Sequence, residues 1–268
     1  MRYHALAADF DGTLAHHGRI ADATWQALRE LKASGRKVVM VTGRELDELL
    51  ALLEDVEVFD RIVAENGALV YDPATKQIRA LAAAPPPAFT DELRARGVER
   101  VAIGRVIVAT WEPYQDTVLS VIHDHGLELQ VIFNKGAVMI LPPGINKAAG
   151  LRAALVELEL SVHDVVAAGD AENDHAMLAA CECGVAVANA VPSLRAAADL
   201  VTRGDHGIGV AELVRRLLDD DLAGVAVRHR VLFAKRDGGA LLFDPCDSAT
   251  LVCGTSGSGK STFTTGLL

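Results

Sequence analysis

His4-Ala5-Leu6-Ala7-Ala8-Asp9-Phe10-Asp11-Gly12-Thr13 is the stretch on which the fold turns. Residues 4–8 form a short apolar run that ends at two acids. A run without in/out alternation fits a strand buried on both faces, the pattern of a parallel sheet. Similar runs recur at 37–41, 61–64, 162–168 (apolar apart from His163 and Asp164) and 184–188. Between them, apolar residues fall at helical spacing over 22–33 (Trp25, Leu28, Leu31), 45–53, 147–160, 173–180 and 207–218. This alternation predicts an α/β fold with a Rossmann-like, doubly wound parallel sheet.

Residues 69–141 follow another pattern. Strand-like 69–71 and 77–81 precede a Pro85-Pro86-Pro87 linker. A helix at 89–96, a strand at 101–110, a helix at 114–125 and strands at 129–133 and 138–141 follow, and Pro142-Pro143-Gly144 closes the segment. The expected organisation is a core built from 1–68 and 142–219, an α/β insert at 69–141, and a separate segment at 220–268.

Composition removes several classes. The 268 residues suffice for one large or two small domains, with half of them hydrophobic and 23% charged. Twenty-six Lys and Arg against 36 Asp and Glu give a formal charge of −10, and no basic run relieves it, which argues against nucleic-acid binding. No basic leader precedes an apolar run, and no apolar stretch is long enough to span a bilayer. Cys181, Cys183, Cys246 and Cys253 are too sparse for a disulfide scaffold. Reduced thiols and a cytoplasmic location are expected.

Three of the apolar runs end in polar residues: Asp9-Phe10-Asp11-Gly12-Thr13, Thr42-Gly43-Arg44 and Gly169-Asp170-Ala171-Glu172-Asn173-Asp174. Ligands of open parallel sheets bind beyond the carboxyl ends of the strands, so the three segments converge on one edge. Asp9 and Asp11, two apart on an extended path, lean to the same side and repel unless a cation sits between them or one holds a proton. Asp170 and Asp174 add oxygens, and an all-oxygen set favours Mg²⁺ over zinc. Thr42 offers a hydroxyl, Gly43 an open backbone N–H, and Lys147 a point charge at a helix start. These groups suit phosphoryl transfer.

In order and spacing, these segments and Lys147 resemble the four motifs of the haloacid dehalogenase superfamily. The insert resembles the large α/β cap of its Cof-type (IIB) branch, as do Glu65-Asn66-Gly67-Ala68 and the segment 184–190. The resemblance spans roughly residues 1 to 218 and implies a role for each matching position. Asp9 would be the nucleophile and a Mg²⁺ ligand. Asp11 would be the general acid/base, with its carbonyl on the metal. Thr42 and Gly43 would hold the phosphoryl group, and Lys147 would bridge phosphate and nucleophile. Asp170 and Asp174 would serve the metal, and Asn173 would orient the phosphate side. Arg44 and Asn66 would face the substrate; the plainer alternatives are a surface arginine and a turn residue before Gly67. The implied activity is Mg²⁺-dependent hydrolysis of a small phosphate monoester, such as a sugar phosphate. The alternatives are a phosphotransferase or phosphomutase of the same superfamily, or a ligand-sensing module fused to an ATPase. His16-His17 and His123-x-His125 lack a third ligand and read as solvated histidines.

A second motif stands apart. Gly254-Thr255-Ser256-Gly257-Ser258-Gly259-Lys260-Ser261 fits the Walker A pattern and follows an apolar run. Gly254, Gly257 and Gly259 would shape the loop, Lys260 would reach phosphate oxygens and Ser261 would bind Mg²⁺. The resemblance is to the incomplete start of a P-loop NTPase domain, binding ATP only in a longer chain. Seven further residues cannot complete its sheet.

Overall fold

The computed structural model describes residues 1–226, 228, 231–236 and 239–243. It divides into two compact units, Met1–Arg228 and His229–Leu268. In the second unit the described residues are an antiparallel strand pair, Val231–Arg236 with Gly239–Phe243. The Walker A residues Gly254, Gly257, Gly259, Lys260 and Ser261 lie outside the described residues, as does the proposed nucleotide site.

The first unit begins with β1 (Ala5–Asp9), the small hairpin of β2 (Ala15–His16) and β3 (Arg19–Ile20), α1 (Asp22–Ala33) and β4 (Lys37–Val41). Then come α2 (Leu46–Leu52), β5 (Arg61–Ala64), β6 (Leu69–Asp72) and β7 (Gln77–Ala80). The insert supplies α3 (Pro87–Ala95), β8 (Ala102–Ile103), β9 (Val108–Trp111), α4 (Gln115–Asp124), β10 (Gln130–Asn134) and β11 (Ala137–Leu141). The chain returns through α5 (Lys147–Glu157), β12 (Val165–Gly169), α6 (His175–Ala180), β13 (Cys183–Ala186), α7 (Pro192–Ala197), β14 (Leu200–Val201) and α8 (His206–Asp220).

The main sheet has eight strands in the order β14-β13-β12-β1-β4-β5-β6-β7, parallel as far as β5. Its central strands are covered on both faces, which explains their unbroken apolar runs. On β1, Leu6 and Ala8 join the layer formed with Trp25, Leu28 and Leu31 of α1 and Val210 and Leu213 of α8. Ala5 and Ala7 face the opposite layer, with Leu151 and Leu155 of α5 and Met177 of α6. Burying each such Leu contributes roughly 2 kcal/mol. Among the described residues no helix is long and apolar enough to cross a membrane.

Three expectations need correction. Strands β6 and β7, assigned to the insert, extend the core sheet as antiparallel strands. The 3-10 turn Glu65–Gly67 reverses the chain, and the buried Leu69, Val70 and Tyr71 then complete the core edge. The insert's own sheet, β10-β11-β9-β8, is separate and fully antiparallel, and packs Val108, Val138 and Ile140 against Phe89 and Leu93 of α3 and Val118 and Val121 of α4. The strand expected over 101–110 breaks into β8 and β9, because the backbone N–H groups of Arg105, Val106 and Ile107 turn toward Glu65. The strand expected at 162–168 starts at Val165; Val162–Asp164 is a 3-10 turn capped by Ser161.

The first unit also runs past the boundary expected at 219. Asp221 receives Arg36, and Arg228 donates to the carbonyls of Leu178 (2.6 Å) and Cys181 (3.0 Å). Cys181 and Cys183 are buried and free, and burial pushes both thiols up to about 12, so they stay protonated.

Candidate active site

β1 delivers Asp9 to the carboxyl edge of the sheet, where it is 4% exposed. Lys147 opens α5, held there by Asn146, whose side chain caps the helix by accepting from the Ala149 N–H at 3.0 Å. The buried Lys147 ammonium reaches Asp9 Oδ1 at 2.5 Å and Asp174 Oδ1 at 2.6 Å. The other Asp174 oxygen accepts the backbone N–H groups of Asp170 (2.9 Å) and Ala171 (3.0 Å). Thus the 3-10 turn after β12 fixes Asp174 by its own backbone and aims it at Lys147.

Carboxylate oxygens of Asp9, Asp170 and Asp174 lie within 4.8 Å of one another, all three residues buried. Burial, reinforced by the Asp174 and Asp170 charges, pushes Asp9 up to about 8 against the pull of Lys147. Burial also raises Asp170, opposed by Lys135. Burial disfavours the Lys147 charge, but Asp174 and Asp9 outweigh it and keep the ammonium protonated. Three acids thus crowd together around one fully buried ammonium, with Lys135 on the outer side of Asp170. An all-oxygen donor set of this kind fits a hard divalent cation.

Thr42 and Gly43 follow β4. The buried Thr42 hydroxyl accepts the Arg44 backbone N–H at 3.1 Å. A side chain at position 43 would begin 3.0 Å from Met139 Cε and 3.8 Å from Asn173 Nδ2, so glycine admits the insert at this point. Arg44 turns to Asp11: Nε reaches Oδ2 at 2.6 Å and Nη2 reaches Oδ1 at 2.8 Å, while Nη1 engages Glu48. The Asp11 carboxylate is therefore outside the acid cluster. Asn173 donates to Asn66 Oδ1 at 3.0 Å, and Asn66 adopts a left-handed φ of 54°.

The turn carrying Asn66 rests backbone to backbone on the start of α5. Gly67 has a φ of +105°, and a Cβ there would lie 2.0 Å from the Asn146 carbonyl oxygen. A Cβ on Gly150 would lie 2.5 Å from the Gly67 Cα.

A cleft of 280 Å³ lies between this edge and the insert sheet. Asp9, Asp11, Gly43, Arg44, Lys147 and Asn173 line its core side. Asp170 and Asp174 are buried beside Asp9, Thr42 is buried next to Gly43 in the chain, and Asn66 reaches the cleft through Asn173. The described candidates from the sequence thus assemble in one place. His16 and His17 do not join them: His16 stacks on His206 with ring centroids 4.4 Å apart.

Two residues of the site were not singled out from sequence. Glu65, 1% exposed, accepts three insert N–H groups: Arg105 at 2.8 Å, Val106 at 2.7 Å and Ile107 at 2.9 Å. Lys135, at the β10–β11 turn, reaches Asp170 Oδ2 at 2.7 Å. For Lys135 a signal was present, because Lys135-Gly136 separates two apolar strands as a two-residue hairpin turn. For Glu65 the signal was its place in the segment Glu65-Asn66-Gly67-Ala68, which gave it no role, since its partners lie some 40 residues away, at 105–107.

The family model for haloacid dehalogenase-like hydrolases matches residues 6–91 and 110–214. This chain belongs to that family. A phosphoglycolate phosphatase of Methanothermobacter thermautotrophicus is 33% identical to this hydrolase over 222 residues, covering 80% of this chain and 98% of the relative. Phosphoglycolate phosphatase 2 of Saccharolobus solfataricus is 30% identical, covering 80% and 91%. Among solved structures, a Thermoplasma acidophilum protein superposes with a TM-score of 0.71 at 18% identity, covering 81% of this chain and 99% of that one. A sugar phosphatase of HAD subclass IIB gives 0.64 at 20% identity, covering 80% and 97%. At these identities the two structures establish the fold of the hydrolase and nothing finer.

Proposed function

We propose that this hydrolase removes phosphate from a small phosphate monoester through an aspartyl-phosphate on Asp9. The observation that carries the reading is Asp9 itself, at the floor of a cleft, gripped by Lys147 and flanked by Asp170 and Asp174. Relatives that span almost their whole length with this chain are named for phosphoglycolate, which makes that ester the first substrate to test.

Asp9, Asp170 and Asp174 would hold Mg²⁺, with the Asp11 carbonyl as a further oxygen ligand. The ion supplies positive charge that favours the ionised Asp9 and screens the phosphoryl oxygens. An Asp9 carboxylate oxygen attacks phosphorus and the bond from phosphorus to the ester oxygen breaks. Asp11, protonated on one oxygen while Arg44 keeps the other, gives that proton to the departing alcohol. It then takes a proton from a water molecule whose oxygen attacks the aspartyl-phosphate, breaking the bond between phosphorus and Asp9 and releasing inorganic phosphate. The Thr42 hydroxyl, the Gly43 N–H and Lys147 neutralise the phosphoryl oxygens. Asn173, braced by Asn66, orients that side. The insert acts as a cap that shuts bulk water out of the cleft.

The test is phosphate release from phosphoglycolate and a panel of sugar phosphates, with Mg²⁺ or EDTA, for the wild type and Asp9→Asn. Release that needs both Asp9 and Mg²⁺ supports the reading. Release that survives Asp9→Asn overturns it.

A further inference from the structure

We propose that Lys135 is the residue that selects the substrate's organic part, by pairing with a carboxylate one or two carbons from the phosphate oxygen. This assignment rests on the phosphatase reading of the cleft.

The cap wall of the cleft is apolar over most of its area: Ala102, Ile107, Ala109, Trp111, Ala137 and Met139. Its polar side chains are Asn134 and Lys135. A polyhydroxyl sugar against such a wall would leave most of its hydroxyls without partners, at a cost for each. A short ester with one anionic end needs a single cationic partner, and the wall offers one. The core side cannot take that end elsewhere. Asp11, Glu45 and Glu48 make its rim acidic, Arg44 is committed to Asp11 and Glu48, and Lys147 to Asp9 and Asp174.

The backbone holds Lys135 in place by an unusual turn. Asn134 pairs with Ala137, so Lys135 and Gly136 are the two residues of a hairpin tip, with φ of 48° and 83°. Both values are left-handed, as in a type I′ turn, where Asn or Gly is preferred at the first position. A lysine there costs about 1 kcal/mol of backbone strain. That tip aims the ammonium at Asp170 Oδ2, 2.7 Å away, although 48% of the side chain is exposed. A cation held by Asp170 competes for that oxygen, and the long lysine stem lets the ammonium turn into the cleft. Its closeness to Asp170 sets the length limit: a carboxylate within its reach lies only a few ångströms from the phosphoryl group.

The experiment compares kcat and KM for phosphoglycolate and ethyl phosphate, which have similar length and differ in the carboxylate. Lys135→Asn suits the turn, so the variant folds. Its preference for phosphoglycolate over ethyl phosphate should fall by about 10- to 100-fold, mainly in KM, as expected for one lost charged hydrogen bond. Lys135→Arg should retain the preference, and Lys135→Glu should shift it toward ethanolamine phosphate, whose free end is cationic. An unchanged ratio in Lys135→Asn, even with both activities lowered, overturns the assignment and leaves the phosphatase reading intact. A wild type that favours ethyl phosphate overturns it too. Release from no ester by the wild type overturns the phosphatase reading and this assignment together.

Discussion

The Arg44 guanidinium and the Asp11 carboxylate meet side by side, in two near-parallel hydrogen bonds of 2.6 and 2.8 Å. Such a fork fixes the plane of the carboxylate as well as its position. In the proposed mechanism Asp11 moves the proton in both half-reactions, so its aim matters twice. Arg44→Ala should lower kcat by about 10- to 100-fold with little change in melting temperature, because the pair is part-exposed. Arg44→Lys should recover only part of the loss, since an ammonium cannot form the fork. Steady-state kinetics beside thermal melts separate the two effects.

Asp9 links stability to pH. Its folded value is about 8, against an ordinary value of 3.8. Between these limits the folded chain holds a proton that the unfolded chain has released, so folding stability falls as pH rises through this window. Metal-free protein should therefore melt at lower temperature at pH 8 than at pH 5, and added Mg²⁺ should stabilise it more at the higher pH. Asp9→Asn should flatten both trends. A metal-free profile that rises over this range contradicts the assignment.

Glu65 is the strut between cap and core. Removing its carboxylate leaves the N–H groups of Arg105, Val106 and Ile107 without their acceptor. Glu65→Ala should cost about 3 kcal/mol in denaturant unfolding. Glu65→Gln keeps an acceptor oxygen and should cost less. Hydrogen exchange at residues 105–107 should rise in Glu65→Ala, and an unchanged rate there would rule out the strut.

Much of the core was legible from local pattern. Asp9, Thr42 and Asp170 each stand at the end of an apolar run, with Asp174 in the turn just beyond, and a parallel sheet aligns such ends without further information. Lys147 followed from its place at a helix start. What the pattern could not show was which sheet a short strand joins. Leu69–Asp72 and Gln77–Ala80 look the same as core edge or cap, and the left-handed residues at Glu65 and Asn66 decide it. The fork between Arg44 and Asp11 was equally hidden, since its partners lie in the loops after two different strands. Lys135 and Glu65 act across the cap boundary, a distance that no local periodicity records.

The contact of Gly67 with Asn146 and Gly150 joins the chain just before its long excursion to the chain just after it. The entropy of closing a loop grows only with the logarithm of its length, about 0.6 kcal/mol for each doubling. A lid twice the size, or half, would thus leave the seam at nearly the same stability. In this architecture the glycine seam closes the base of the insert at a cost that hardly depends on the insert's length, and what ties a particular insert to the floor is left to the few contacts of Glu65 and Lys135.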